Sequence, residues 1–174
     1  MIKGYRYLII ITFTVLFCLF SFYLFPVNQA EMNIVVGESV KTLDSRFSYS
    51  YSDVNDLFYT LGDSGADIYM YITSVIDMIY PIVYGVLFIL ILSVVLLKRS
   101  SVFRFTPIVA VAFDYAENIN TLLLLNRYPA INEWMVIRGS VFTLFKWIGV
   151  ILTLGIIVIS LCVRLLRWIK VKNG

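Results

Sequence analysis

The sequence predicts an all-α membrane protein: a bundle of four transmembrane helices with a long outer loop that carries a short amphipathic helix. Three observations predict it. Of 174 residues, 60% are hydrophobic, well above the 45–50% or so typical of soluble domains. Four apolar stretches reach the roughly 20 residues that a helix needs to cross a bilayer. Basic residues gather in alternate connections, the signature of a chain threaded back and forth through a membrane.

The spans run over about 7–25, 69–97, 105–125 and 134–163, within a single domain of residues 1–174. The first is too long for the apolar region of a signal peptide, and Val27-Asn28-Gln29-Ala30 is a poor cleavage site. A retained helix ending at Pro26 is expected. Nine basic residues (Lys3, Arg6, Lys98, Arg99, Arg104, Arg164, Arg167, Lys170 and Lys172) occupy the N-terminus, the second connection and the C-terminus, with no acid among them. The positive-inside rule then puts both termini in the cytoplasm, in the cell or plasma membrane.

The outer loop, about 26–67, is long for a connector. Val35, Val36 and Val40 suggest a short extended piece. From Ser52, the apolar residues Val54, Leu57, Phe58 and Leu61 recur at helical spacing up to Gly62. Such a helix suits the membrane surface or a cap packed over the bundle. Ser64-Gly65-Ala66-Asp67 has the form of a capping box for the next helix.

Within span three, Asp114, Glu117, Asn118 and Thr121 fall at roughly 0°, 300°, 40° and 340° around the helix, one polar stripe from which Asn120 turns away. Two acids offset much of the apolar contribution of that span, so it needs partners. Span four supplies Arg138 near its outer end and Lys146 at nearly the depth of Glu117. The short loop 126–133 makes the two spans antiparallel neighbours, so Lys146 is expected to pair with Glu117 or Asp114. Span two aligns Thr73, Asp77, Tyr80 and Tyr84. Its Pro81 leaves the carbonyl of Asp77 without its helical donor. Counting Asp77, Asp114 and Glu117 against Lys146 and Arg138 leaves one excess negative charge.

Two uses fit this cluster. One is an outward-opening, water-accessible pocket that takes a small amphiphilic ligand, a lipid or an amine, with Asp114 and Glu117 as acid/base or counter-ion. The other is a scaffold or subunit whose ion pairs only fix helix packing. No cofactor is expected. The chain contains no histidine, and an oxygen-only Mg²⁺ or Ca²⁺ site is disfavoured by Lys146. The basic C-terminus with Trp168 reads as an anchor to membrane lipids and not as a nucleic-acid site. A homo-oligomer stays open.

The pattern Tyr51-Ser52, Leu61-Gly62, Gly65, Tyr69, Asp77, Pro81, Tyr84-Gly85, Asp114-x-x-Glu117-Asn118 and Lys146-Trp147 resembles a group of small four-helix membrane proteins marked by Asp-x-x-Glu-Asn in the third span. The resemblance implies a common polar site and no particular activity. Many members carry a basic residue where this chain has Ala66, which removes an anion-binding role from that turn. A looser likeness in architecture links the chain to four-helix proteins of the sterol-isomerase and sigma-2-receptor type, which also bury acids.

Overall fold

The computed structural model describes residues 2–96 and 102–173; Leu97, Lys98 and Arg99, part of the second span and its basic connection, lie outside the described residues. The elements in order are α1 (Ile2–Leu19), α2 (Phe25–Val36), α3 (Tyr51–Tyr71), α4 (Asp77–Val95), α5 (Thr106–Arg127) and α6 (Glu133–Asn173). Among the described residues there is no strand. Four helical stretches are long and apolar enough to cross a membrane: Tyr5–Val36, Tyr51–Val95, Val102–Arg127 and Glu133–Lys172.

The first helix does not stop at Pro26. A π turn over Phe20–Leu24 joins α1 to α2, and the proline sits in the first turn of α2, where it has no helical amide to give up. The wider turn immediately upstream absorbs the ring. The helix ends at Gly37, whose φ of 82° only glycine adopts without strain and whose amide donates to the Asn33 carbonyl at 2.9 Å. Val35 and Val36 are therefore helical, not extended.

Residues 38–50 form an irregular loop that folds back onto the helices. Leu43 is fully buried, and its amide donates to the Tyr69 hydroxyl at 3.0 Å. Ser50 then caps α3 in a true capping box. Its side chain accepts from the Asp53 amide at 3.2 Å, and Asp53 Oδ2 accepts from the Ser50 amide at 2.7 Å. The four apolar residues picked out by periodicity, Val54, Leu57, Phe58 and Leu61, are buried with Leu124, Ile131, Met135 and Val136 at one end of the bundle. Gly62 breaks the helix with φ 55° and ψ −166°, as its place in the pattern predicts. A second π turn, Ile72–Ile76, leads into α4.

Helices α5 and α6 form an antiparallel hairpin with a regular seam. Pro107, Ala110, Asp114, Glu117, Thr121 and Leu124 are buried on α5; Gly139, Thr143, Lys146, Gly149 and Thr153 are buried on α6. Both series step by three and four, the spacing of a knobs-into-holes contact. At Gly149 a Cβ would lie 3.0 Å from the Ala110 backbone, so the glycine sets how closely the helices approach. Arg164 closes the far end of α4, its Nε donating to the Val95 carbonyl at 2.6 Å.

Helix α1 packs on α4 around Tyr80, whose ring lies 5.1 Å from Phe25 and 5.8 Å from Phe17 and Phe20. The outward faces of α1 and α6 are apolar, with Leu8, Ile11, Val15, Leu152, Val158 and Ile159 exposed.

Candidate functional site

The seam between α5 and α6 carries its ionic groups in the middle. Glu117, fully buried, accepts from the Thr143 hydroxyl at 2.6 Å through Oε1 and forms an ion pair with Lys146 through Oε2. The same ammonium lies 3.8 Å from Asp114 Oδ1 and reaches the Asp44 carbonyl at 3.5 Å. It occupies the place between two carboxylates where a bound cation would sit. The other oxygen of Asp114 accepts from the Tyr84 hydroxyl at 2.9 Å, which ties α4 to α5.

Asp77 begins α4. Its carbonyl, deprived of a helical donor by Pro81, accepts from Asn118 Nδ2 at 2.8 Å. The neighbouring Met78 carbonyl takes the Tyr115 hydroxyl at 2.9 Å. The proline thus exposes backbone acceptors and α5 fills them. The Asp77 carboxyl is only 7% exposed and forms no ion pair among the described residues.

Three helices therefore bring Asp77, Tyr84, Asp114, Glu117, Asn118 and Lys146 together, as the sequence predicts. Thr121 is buried on the same face of α5, one turn beyond Glu117. Two predicted members stand elsewhere. Tyr80 turns toward α1, its hydroxyl 2.9 Å from that of Ser21. Arg138 is exposed and donates through Nε to Asn120 Oδ1 at 3.0 Å, on the side of the hairpin away from the acids. Without Arg138, three carboxyl groups share one ammonium. Counted as ionised, these three leave an excess of two negative charges rather than one, and the half-buried Asp44 carboxyl adds its field to all of them.

The loop 38–50 closes the site from one end. The Asp44 carbonyl accepts from both Lys146 and the Trp147 indole, the latter at 3.2 Å, and Phe47 packs on Trp147 at 5.5 Å. Tyr49 inserts beside Gly139, where a Cβ would collide with its hydroxyl and with the Asn120 amide. Burial, with the charge of Glu117 adding to it, pushes the Tyr49 hydroxyl above its ordinary range. Thr73, expected at an open entrance, is 3% exposed. An opening lies beside Asp44 instead, a cavity of about 330 Å³ lined by Ser21, Gln29, Thr42, Asp44, Ser45 and Ile72 among others. Asp44 is its link to Lys146.

Asp44, Tyr49 and Thr143 are the members that sequence reasoning missed, and Trp147 entered it only through the resemblance pattern. Thr143 had a signal, since it shares the three-and-four spacing of Gly139, Lys146 and Gly149. The loop residues had none, being about a hundred positions from their partners. Comparison of the chain with protein-family models, with curated proteins and with solved structures finds no match.

Proposed function

We propose that the chain is a multi-pass integral membrane protein, both termini cytoplasmic, whose buried acid site binds a small cationic amphiphile. Four helices of spanning length and the apolar outward faces of α1 and α6 support the membrane reading. The basic residues in alternate connections support the orientation. The observation that carries the ligand reading is the charge imbalance. Asp77, Asp114 and Glu117, none more than 7% exposed, face a single ammonium. In so dry an interior, two further positive charges are needed, supplied as protons or as a cationic group. A network that served packing alone would gain nothing from the surplus.

An amine fits this demand, with its head among Asp77 and Asp114 and its apolar part along the aromatic rings of α1 and α4. The cavity beside Asp44 is the route, and entry displaces the loop carbonyl from Lys146 and Trp147. The membrane lipids themselves are the solvent from which such a ligand partitions.

A scaffold role is the second reading. It is favoured by the full burial of Glu117 and by the regular seam on which Glu117 and Lys146 lie. Thermal melting in detergent separates the two. Dodecylamine should raise the midpoint of the wild-type protein, and dodecanol should not. Asp77→Asn and Asp114→Asn should fold and lose the amine response. No response in the wild type, or an equal one in the amide variants, leaves the scaffold.

A further inference from the structure

A cavity on the α5–α6 hairpin lies outside the acid site. It has a volume of about 710 Å³ and opens where α5 ends and α6 begins. Arg127, Trp134 and Arg138 line it, with Leu123, Ile137 and Val141 as an apolar floor. Its size is that of a small-molecule pocket. No acid lines it, and among the described residues neither arginine forms an ion pair.

Two exposed guanidiniums without a protein counter-charge border an apolar floor, a combination complementary to an amphiphilic anion. Arg138 is also held in position. Its Nε is spent on Asn120, which is 1% exposed and is itself fixed by donating to the Met135 carbonyl at 3.0 Å. That leaves both Nη groups free of protein partners among the described residues. A guanidinium presenting two such donors matches a phosphate. Arg127 stands at the helix end, and Arg138 begins about 8 Å deeper, five residues into α6 at 1.5 Å each. There its guanidinium is anchored by Asn120 of α5 and remains exposed at the groove. Trp134, 79% exposed, belongs at the depth of the polar layer. The floor is half-exposed, with Leu123 at 40% and Ile137 at 45%, and runs along the outside of the hairpin.

We propose that this groove binds the headgroup of an anionic glycerophospholipid. Arg127 and Arg138 hold the phosphate, and one acyl chain lies along Leu123, Ile137 and Val141. The site rests on the membrane reading and is independent of the acid cluster and of which face is cytoplasmic. It assigns the hairpin end a bound lipid that bridges α5 and α6 from outside.

Native mass spectrometry of the detergent-purified protein tests it, with phosphatidylglycerol and phosphatidylcholine titrated separately. The first phosphatidylglycerol should bind more tightly than phosphatidylcholine, by about fivefold for each guanidinium engaged. Arg127→Gln with Arg138→Gln should abolish that preference. Leu123→Trp, which fills the floor and leaves both arginines and the Asn120 contact, should weaken both lipids. Should Arg138→Gln fail to fold, Arg127→Gln alone should still lose about fivefold. Equal binding of the two lipids by the wild type overturns the proposal, as do variants that bind like the wild type. Displacement of the lipid by millimolar inorganic phosphate overturns it too, by marking a small-anion site. Retention of the chain in membranes through alkaline carbonate washing tests the membrane reading separately.

Discussion

Lys146 is the single cation among three buried carboxyl groups, and its removal has a calculable effect. Lys146→Met keeps the length and most of the apolar volume of the stem, so little packing is lost. What disappears is the ion pair with Glu117, the attraction to Asp114 at 3.8 Å and the bond to the Asp44 carbonyl. A unit charge pair at that separation is worth about 4 kcal/mol at an effective dielectric of about 20. Breaking a buried pair from one side costs about 3–5 kcal/mol, because the stranded carboxylate has no water to return to. A loss of that size is expected. Glu117→Gln in the same chain removes the stranded charge while its carbonyl still accepts from Thr143, and should restore roughly half. Equilibrium unfolding in mixed micelles, followed by circular dichroism for the wild type, both single variants and the double, yields the coupling directly. A Lys146→Met loss below about 1 kcal/mol would refute the reasoning that the cluster is dry. Recovery with Asp114→Asn but not with Glu117→Gln would move the partnership to Asp114.

Three further outcomes are expected. Thr143→Val should lower stability by about 1.5–3 kcal/mol, the loss of a hydrogen bond to a buried charge, and Thr143→Ser should restore most of it in the same unfolding assay. Gly149→Ala should cost about 1–3 kcal/mol by pressing a methyl group onto the Ala110 backbone; a melting midpoint equal to the wild type would show that the hairpin is looser than its seam suggests. A reporter fused after Gly174 should behave as cytoplasmic, and one placed in the loop at Asp44 as external; the reverse result would invert the access route to the acid site.

The parts of this architecture that were legible in the sequence are those with a period. The α5–α6 pairing followed from a short turn and from residues at matching depth. The seam brings Ala110 to Gly149 and Glu117 to Thr143 and Lys146 in that same register. Depth alone misled at Arg138. It sits one residue from the seam position Gly139, a turn of about 100°, and that angle carries it off the acid face. Pro26 shows the limit of a local rule. A proline stops a helix only where the ring's clash is not relieved, and the π turn at Phe20–Leu24 relieves it. Pro81 was read correctly as freeing a carbonyl, but that Asn118 fills it is a fact of tertiary packing. The loop contacts of Asp44 and Tyr49 obey no period.

Those loop contacts decide how the acid site can be used. Lys146 and Trp147 share one acceptor, the Asp44 carbonyl, and Tyr69 holds the loop one residue earlier through the Leu43 amide. Residues 43 and 44 are thus tied to α3 and α6 by backbone groups, and the fully buried Leu43 side chain anchors the same turn in the core. On the proposed reading, a cationic head entering from the cavity beside Asp44 would repel Lys146 and be attracted to Asp77, which forms no ion pair with Lys146. Its arrival would then weaken the hydrogen bonds from Lys146 and Trp147 to the Asp44 carbonyl and add positive charge beside the acids. The ammonium of the cluster does not sit centrally among the three acids. It stands to one side, against Glu117 and Asp114, and forms no ion pair with Asp77 at the start of α4.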